Sequence, residues 1–191
     1  MAPPRFLVLV GLMGSGKSAV ARRLVASSGA DLRDTDRMVE ERAGKSVREI
    51  FAGSGEEAFR RLEEQELQRA LSGDSDAVIA AAGGIVTREA NRRALNDARR
   101  SGAAWVVWLR TEPDALVERV ARGGHRPLLD ADPRAALLRL HEERSPLYAE
   151  VADEVVDTTG RSVDEVARDV AERYSVRAGG EGGTTCGPRS L

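Results

Sequence analysis

Phe6-Leu7-Val8-Leu9-Val10 runs directly into Gly11-Leu12-Met13-Gly14-Ser15-Gly16-Lys17-Ser18, and Ala19 to Ala26 continues at helical spacing. An apolar strand, a glycine-rich turn closing on Gly-Lys-Ser, and then a helix is the layout of a phosphate-binding P-loop. The glycines let successive backbone N–H groups turn inward toward phosphate oxygens. Because the helix starts at the turn, the positive end of its dipole faces the same phosphates. Gly14, Ser15, Gly16, Lys17, Ser18 and Ala19 are the expected nucleotide contacts. Lys17 is expected to reach the β- and γ-phosphates and Ser18 to ligate Mg²⁺. A glycine-rich turn that merely joins strand to helix is the alternative, and the flanks on both sides disfavour it. The expected ligand is a nucleoside triphosphate.

Outward from this loop, apolar runs alternate with helical patterns. Strands are expected at Phe6–Val10, Asp31–Arg33, Ala77–Ala81, Ala104–Leu109 and Glu154–Asp157. Helices are expected at Lys17–Ser27, Asp36–Arg42, Ser46–Ala52, Gly55–Leu71, Thr87–Arg100, Glu112–Ala121, Pro133–Val151 and Val163–Tyr174. Strands separated by helices imply right-handed crossovers and a parallel sheet covered on both faces, an α/β architecture. Such sheets bind ligands at the carboxyl ends of their strands. Gly11–Ser18, Asp34–Asp36, Ala82–Gly84 and Asp157–Arg161 all fall there.

The 191 residues suit one domain, and 41% hydrophobic residues supply a core that must be largely aliphatic, since aromatics are only 4%. With 29 basic and 31 acidic residues, the net charge of −2 gives no electrostatic case for nucleic acid. The lone Cys186 cannot form an internal disulfide, and His125 and His141 do not make a zinc set. No apolar run approaches the roughly 20 residues needed to span a bilayer, and no secretory segment precedes the first strand. A monomeric cytoplasmic protein is the expectation, with no membrane and no nucleic-acid partner. Gly179, Gly180, Gly182, Gly183 and Gly187 fall in the tail 176–191, which has few apolar residues and is expected to be disordered.

Further segments carry polar chemistry. In Asp34-Thr35-Asp36, Asp34 could hold a water on Mg²⁺ and Asp36 could take a proton from a substrate hydroxyl. A helix N-cap is an equally ordinary use of such residues. In Phe59-Arg60-Arg61-Leu62-Glu63 an arginine could grip a carboxylate bidentately. Taken alone it suits a solvated helix face, with Arg60 or Arg61 paired to Glu57 or Glu64. Gly83-Gly84 permits close backbone approach to a ligand, or merely a tight turn. Gly123-Gly124-His125-Arg126-Pro127 reads as a flap, or as a surface loop. Within Arg144-Ser145-Pro146-Leu147-Tyr148, Pro146 interrupts a helix and could aim Arg144 inward.

In this order and spacing, these segments resemble the shikimate kinase family, a P-loop group like the nucleoside monophosphate kinases. The similarity runs from about Phe6 to Tyr174. The resemblance implies a three-layer α/β/α fold with a five-stranded parallel sheet of order 2-3-1-4-5. It implies one kinase domain over 1–175, with a substrate-binding excursion at about 35–62 and a lid at about 119–130. The implied reaction is transfer of the ATP γ-phosphoryl to the 3-hydroxyl of shikimate with Mg²⁺, in aromatic amino-acid biosynthesis. By the resemblance, Asp36, Arg60, Gly83, Gly84 and Arg144 contact shikimate, Arg60 and Arg144 clamping its carboxylate. Lys17 and Arg126 stabilise the moving phosphoryl group, Ser18 and Asp34 place Mg²⁺, and Arg161 lies by the adenine. Arg119 and Arg122 are further lid arginines. Two departures stand out: Ala82 replaces the first of three glycines usual in the family, and Gly123-Gly124-His125 replaces an acidic lid position.

Two other readings remain at this stage. One is a kinase for a related polyol acid or cyclitol, such as gluconate. The other is a nucleotide-dependent switch without small-molecule turnover, for which the paired arginines and Asp36 have no use.

Overall fold

The computed structural model describes residues 3–121 and 132–179. Within them lie β1 (Phe6–Val10), β2 (Asp31–Asp34), β3 (Ala77–Ala80), β4 (Ala104–Arg110) and β5 (Glu154–Asp157). They form one all-parallel sheet in the order β2-β3-β1-β4-β5, as expected. The helices are α1 (Lys17–Ser28), α2 (Thr35–Ala43), α3 (Val47–Ala70), α4 (Glu89–Arg100), α5 (Pro113–Ala121), α6 (Pro133–Val151) and α7 (Val163–Gly179).

The two-residue period of a strand splits β1 between two cores. Phe6, Val8 and Val10 join Ala77, Ile79, Ala104 and Val106 on one face, closed by Leu67 of α3, Leu95 of α4, Leu116 of α5 and Leu137, Leu140 and Tyr148 of α6. Leu7 and Leu9 join Val78, Ala80, Trp105 and Val107 on the other, closed by Val20 and Leu24 of α1 and Val166 and Val170 of α7. Burial on both faces explains why every residue of β1 and β3 is buried. A third, small cluster of Val39, Ile50 and Phe59 joins α2 to α3 away from the sheet.

The two helices expected at Ser46–Ala52 and Gly55–Leu71 are both present, running together as α3 across a kink at Gly55, whose φ of 78° and ψ of 171° are not helical. Apart from one-residue shifts at element ends, three points differ from expectation. The helix expected from Thr87 starts at Glu89, because Ile85–Thr87 is a tight 3₁₀ turn. Pro146 does not interrupt α6, which continues to Val151. Its missing N–H leaves the preceding turn short of one backbone bond, and Ser145 Oγ donates to the His141 carbonyl at 2.6 Å beside it. Helix α7 continues past Tyr174 to Gly179, so Val176–Gly179 of the expected disordered tail are helical. Ala178 explains this, since it packs against the α1–α7 core. The remainder of that tail, with Cys186, lies outside the described residues, as does the lid from Arg122 through Asp130.

Candidate functional site

The carboxyl ends of β1, β2 and β3 bring three segments together. The first is the loop Gly11–Ser18. Gly11, Gly14 and Gly16 have φ of 146°, 84° and 93°, values that L side chains rarely adopt. A Cβ on Gly11 would also stand 2.6 Å from the Leu109 carbonyl oxygen. Gly16 occupies the N-cap position of α1 without a side-chain cap, and the first turn of α1 carries no acidic residue. By contrast, α3 begins with a complete Ser46–Glu49 capping box and α6 with an Asp132 cap. The α1 N-terminus therefore keeps its N–H groups and positive dipole end for an external anion. Lys17 donates to the Gly11 and Leu12 carbonyls at 2.8 and 2.9 Å, which folds its ammonium back over the loop. Ser15 is buried, and its hydroxyl has no hydrogen-bond partner among the described residues. Ser18 and Ala19 stand half-buried on the first turn of α1. Glycine cradle, open helix end, ammonium and orphan hydroxyl fit a polyphosphate.

The second segment is Asp34-Thr35-Asp36, where β2 becomes α2. Asp34 sits at the N-cap position but makes no capping bond, leaving its carboxylate for other work. Thr35 is fully buried and accepts from the Ala82 N–H at 2.8 Å, tying this junction to the next segment. Asp36 is exposed, in the first turn of α2.

The third is the turn Ala82-Gly83-Gly84 after β3. Ala82 has ordinary backbone angles, so the methyl that replaces a glycine here is accommodated. A Cβ on Gly83 would lie 3.1 Å from the Met13 backbone nitrogen, so this turn abuts the phosphate loop. A Cβ on Gly84 would lie 1.8 Å from Arg60 Nη1, because the guanidinium fills the space beside it. Arg144 reaches the same turn from α6, with Nη1 donating to the Gly83 carbonyl at 3.0 Å. Both arginines are buried, at 7% and 6% exposure, and not on a solvated face.

Arg60 pairs with Glu63 at 2.6 Å and with Glu56 at 2.9 Å, and not with Glu57 or Glu64. The solvated helix-face pattern belongs to Arg61, which faces Glu57 in solvent. Burial disfavours the Arg60 charge, yet Glu63 and Glu56 outweigh it and raise its pKa. Burial lifts the Glu63 carboxyl to about 7 against the pull of Arg60, with Asp36 adding to the rise and Arg144 opposing it. Asp36, Arg60 and Arg144 thus all act electrostatically on the Glu63 carboxyl. Glu63 and Tyr148 stand within the segments Phe59–Glu63 and Arg144–Tyr148, but the sequence alone gives them no role. The Arg60–Glu63 and Arg144–Tyr148 helical spacings were the available signals.

At the ends of β4 and β5 the arginines hold the protein together. Arg161 spends Nη1 on the Asp157 carbonyl and Asp169, and Nη2 on the Glu165 carbonyl. Arg119 of α5 donates to the Thr158 hydroxyl and carbonyl at 3.1 and 2.6 Å. Arg122 and Arg126 lie outside the described residues.

No group of three or more His, Cys, Asp or Glu side chains among the described residues is arranged to hold a metal ion. The donors on offer are the Ser18 hydroxyl and the Asp34 carboxylate. That sparse oxygen set suits Mg²⁺, which keeps waters and binds through phosphates instead of a full protein cage.

The model of the shikimate kinase family matches residues 13–175. The chain belongs to the shikimate kinase family. It is 46% identical over 174 residues to a shikimate kinase of Symbiobacterium thermophilum, covering 90% of this chain and 97% of that one. A Mycobacterium tuberculosis shikimate kinase is 41% identical over 185 residues, covering 96% of this chain and all of the other. Among solved structures, a shikimate kinase from Acinetobacter baumannii in complex with shikimate superposes with a TM-score of 0.84 at 31% identity, covering 93% of this chain and 95% of that one. A Sinorhizobium meliloti gluconokinase, at 17% identity and a TM-score of 0.59, shares the fold alone. This shikimate kinase family member is an ATP-dependent phosphotransferase, with ATP as co-substrate and Mg²⁺ as its metal.

Proposed function

We propose that the chain transfers the ATP γ-phosphoryl to the 3-hydroxyl of shikimate, with the acceptor held by Asp36, Arg60, Gly83, Gly84 and Arg144. The observation that carries this reading is the meeting of two buried guanidinium groups at Gly83–Gly84, a turn that itself abuts the phosphate loop. An acceptor with one carboxylate and neighbouring hydroxyls satisfies both cations and still leaves a hydroxyl beside the transferable phosphoryl. A neutral cyclitol would bring no anion to Arg144 and would leave Arg60 with only Glu63 and Glu56 as partners, so it would forgo the charge-assisted contacts that a carboxylate gains.

The chemistry is in-line transfer, in which positioning and charge stabilisation do most of the work. The N–H groups of Gly14 to Ala19 hold the phosphates, and Lys17 neutralises charge on the group in flight. Ser18 directly, and Asp34 through water, would hold Mg²⁺, which supplies charge neutralisation across the phosphates. Asp36 orients the acceptor hydroxyl and stands ready to take its proton. Arg126 adds a second cation over the phosphates when the lid at about 119–130 closes and excludes water. The segment of Arg161 borders the adenine; the guanidinium itself anchors that segment to α7.

This reading carries with it a monomeric, cytoplasmic enzyme with a single domain over 1–175. Light scattering after size exclusion tests the first point, and fractionation of the source cells tests the second. The decisive experiment is coupled ADP release across shikimate, quinate, gluconate and several cyclitols. Turnover with shikimate far above all others, abolished by Lys17→Ala, is the expected result. Equal turnover with gluconate or a cyclitol, or nucleotide binding without acceptor-dependent ADP release, would reject it.

A further inference from the structure

Tyr148 is fully buried, yet it is tyrosine and not phenylalanine. A buried hydroxyl is costly unless it is hydrogen-bonded. Its partner is the Gly83 carbonyl, to which it donates at 2.6 Å. Arg144, one helical turn earlier on α6, donates to the same oxygen at 3.0 Å. Two donors from one helix face thus converge on a single carbonyl in the turn that also packs against Arg60 and the phosphate loop.

The tyrosine ring is itself held. It stacks on Trp108 at 5.7 Å between centroids, with planes 29° apart. Trp108 lies on β4 opposite Val10, the last residue of β1 before the phosphate loop. The other side of the turn is fixed independently, through the Thr35 hydroxyl on the Ala82 N–H. Gly83 has no side chain to lock its own peptide, so beside the Ile85 N–H bond to the Ala82 carbonyl that closes the turn, these external bonds help fix its carbonyl direction.

We propose that Tyr148 is a positioning residue for the acceptor site: its hydroxyl fixes the Gly83 carbonyl on which Arg144 is seated, and so sets where that guanidinium presents its remaining N–H groups. This rests on the acceptor reading above, in which Arg144 holds the acceptor carboxylate. Tyr148 touches neither substrate nor nucleotide in this scheme and acts through Arg144.

The test is a double-mutant cycle of Tyr148→Phe and Arg144→Ala, read as shikimate KM, ATP KM and kcat. Tyr148→Phe keeps the ring stacked on Trp108 and leaves the Gly83 carbonyl its bond from Arg144, so the melting temperature should move little. Arg144→Ala is expected to raise shikimate KM about tenfold or more, and Tyr148→Phe about fivefold or more, with ATP KM within about twofold. In the Arg144→Ala background, Tyr148→Phe should add no further change. Trp108→Phe, which thins the stack but keeps the hydroxyl, should lower the melting temperature and leave shikimate KM in place. A normal shikimate KM in Tyr148→Phe overturns the proposal. So does a full multiplicative effect in the double variant, or a KM rise of the same size in Trp108→Phe. A normal KM in Arg144→Ala strikes the acceptor reading itself, and this inference falls with it.

Discussion

Replacing Gly84 by alanine tests the acceptor site with one carbon atom. Gly84 has φ of −90° and ψ of −4°, angles that alanine adopts without strain, so the substitution acts through contact alone. The new Cβ would meet Arg60 Nη1 at 1.8 Å, Cζ at 2.6 Å and Nη2 at 2.9 Å. Carbon prefers neighbours near 3.5 Å, so the guanidinium must retreat by roughly 2 Å. That movement breaks the 2.6 Å bond from Nη1 to Glu63. A hydrogen bond to a charged group contributes about 1.5–3 kcal/mol. If the displaced arginine forfeits a similar bond to the acceptor carboxylate, shikimate KM rises about 10- to 150-fold. Stripping Glu63 of its partner should lower the melting temperature by roughly 3–12 °C. The assay is steady-state ADP release over a shikimate series at saturating ATP, with ATP KM as control and a thermal melt alongside. A shikimate KM within about twofold of wild type, in a folded variant with normal ATP KM, would refute the reasoning, because Arg60 would then be free to move without consequence.

Thr35→Val removes the acceptor of a buried Ala82 N–H while keeping the side-chain shape. It should cost about 1–3 kcal/mol in urea denaturation, and an unchanged midpoint would show that the bond contributes nothing. Glu63 titrates at about 7 in the native protein against an ordinary 4.5, so between those values the native state binds more protons than the unfolded chain. Stability should therefore fall as pH rises from 4.5 to 7, with no further contribution from this group above that window. Melting curves from pH 5 to 8 for wild type and Glu63→Gln check this: the wild type should lose stability relative to the variant across the window, and parallel curves would contradict it.

The strands and the phosphate loop were legible because their signals are local, whereas the sheet order came only from the family resemblance, since the pairing of strands distant in sequence has no local signal. Phe6 to Val10 is apolar at every position, and the glycines stand where the backbone takes φ values that only they accept readily. The acceptor side was harder to read. Arg60 sits in a helical run of charges that suits a solvated face, and Arg61 beside it is indeed exposed. What buries Arg60 is its contact with Gly84, a residue on another element, which no helical spacing encodes. Arg161 is a second case: a cation in a glycine turn near the nucleotide end invites a ligand role, and the sequence did not show that Asp169 on α7 also engages it. The break at Gly55 was legible as two separate helical patterns, Ser46–Ala52 and Gly55–Leu71.

The small cluster of Val39, Ile50 and Phe59 holds α2 against α3 across the break at Gly55, while Leu67 and Ala70 near the far end of α3 tie that helix to the sheet core. Opening at that cluster alone would bring few aliphatic groups and the Phe51–Phe59 ring pair to water, while Leu67 and Ala70 kept the sheet face shut. Amides at the cluster should accordingly exchange with deuterium well before those of β1 and β3, at a fraction of the global unfolding free energy.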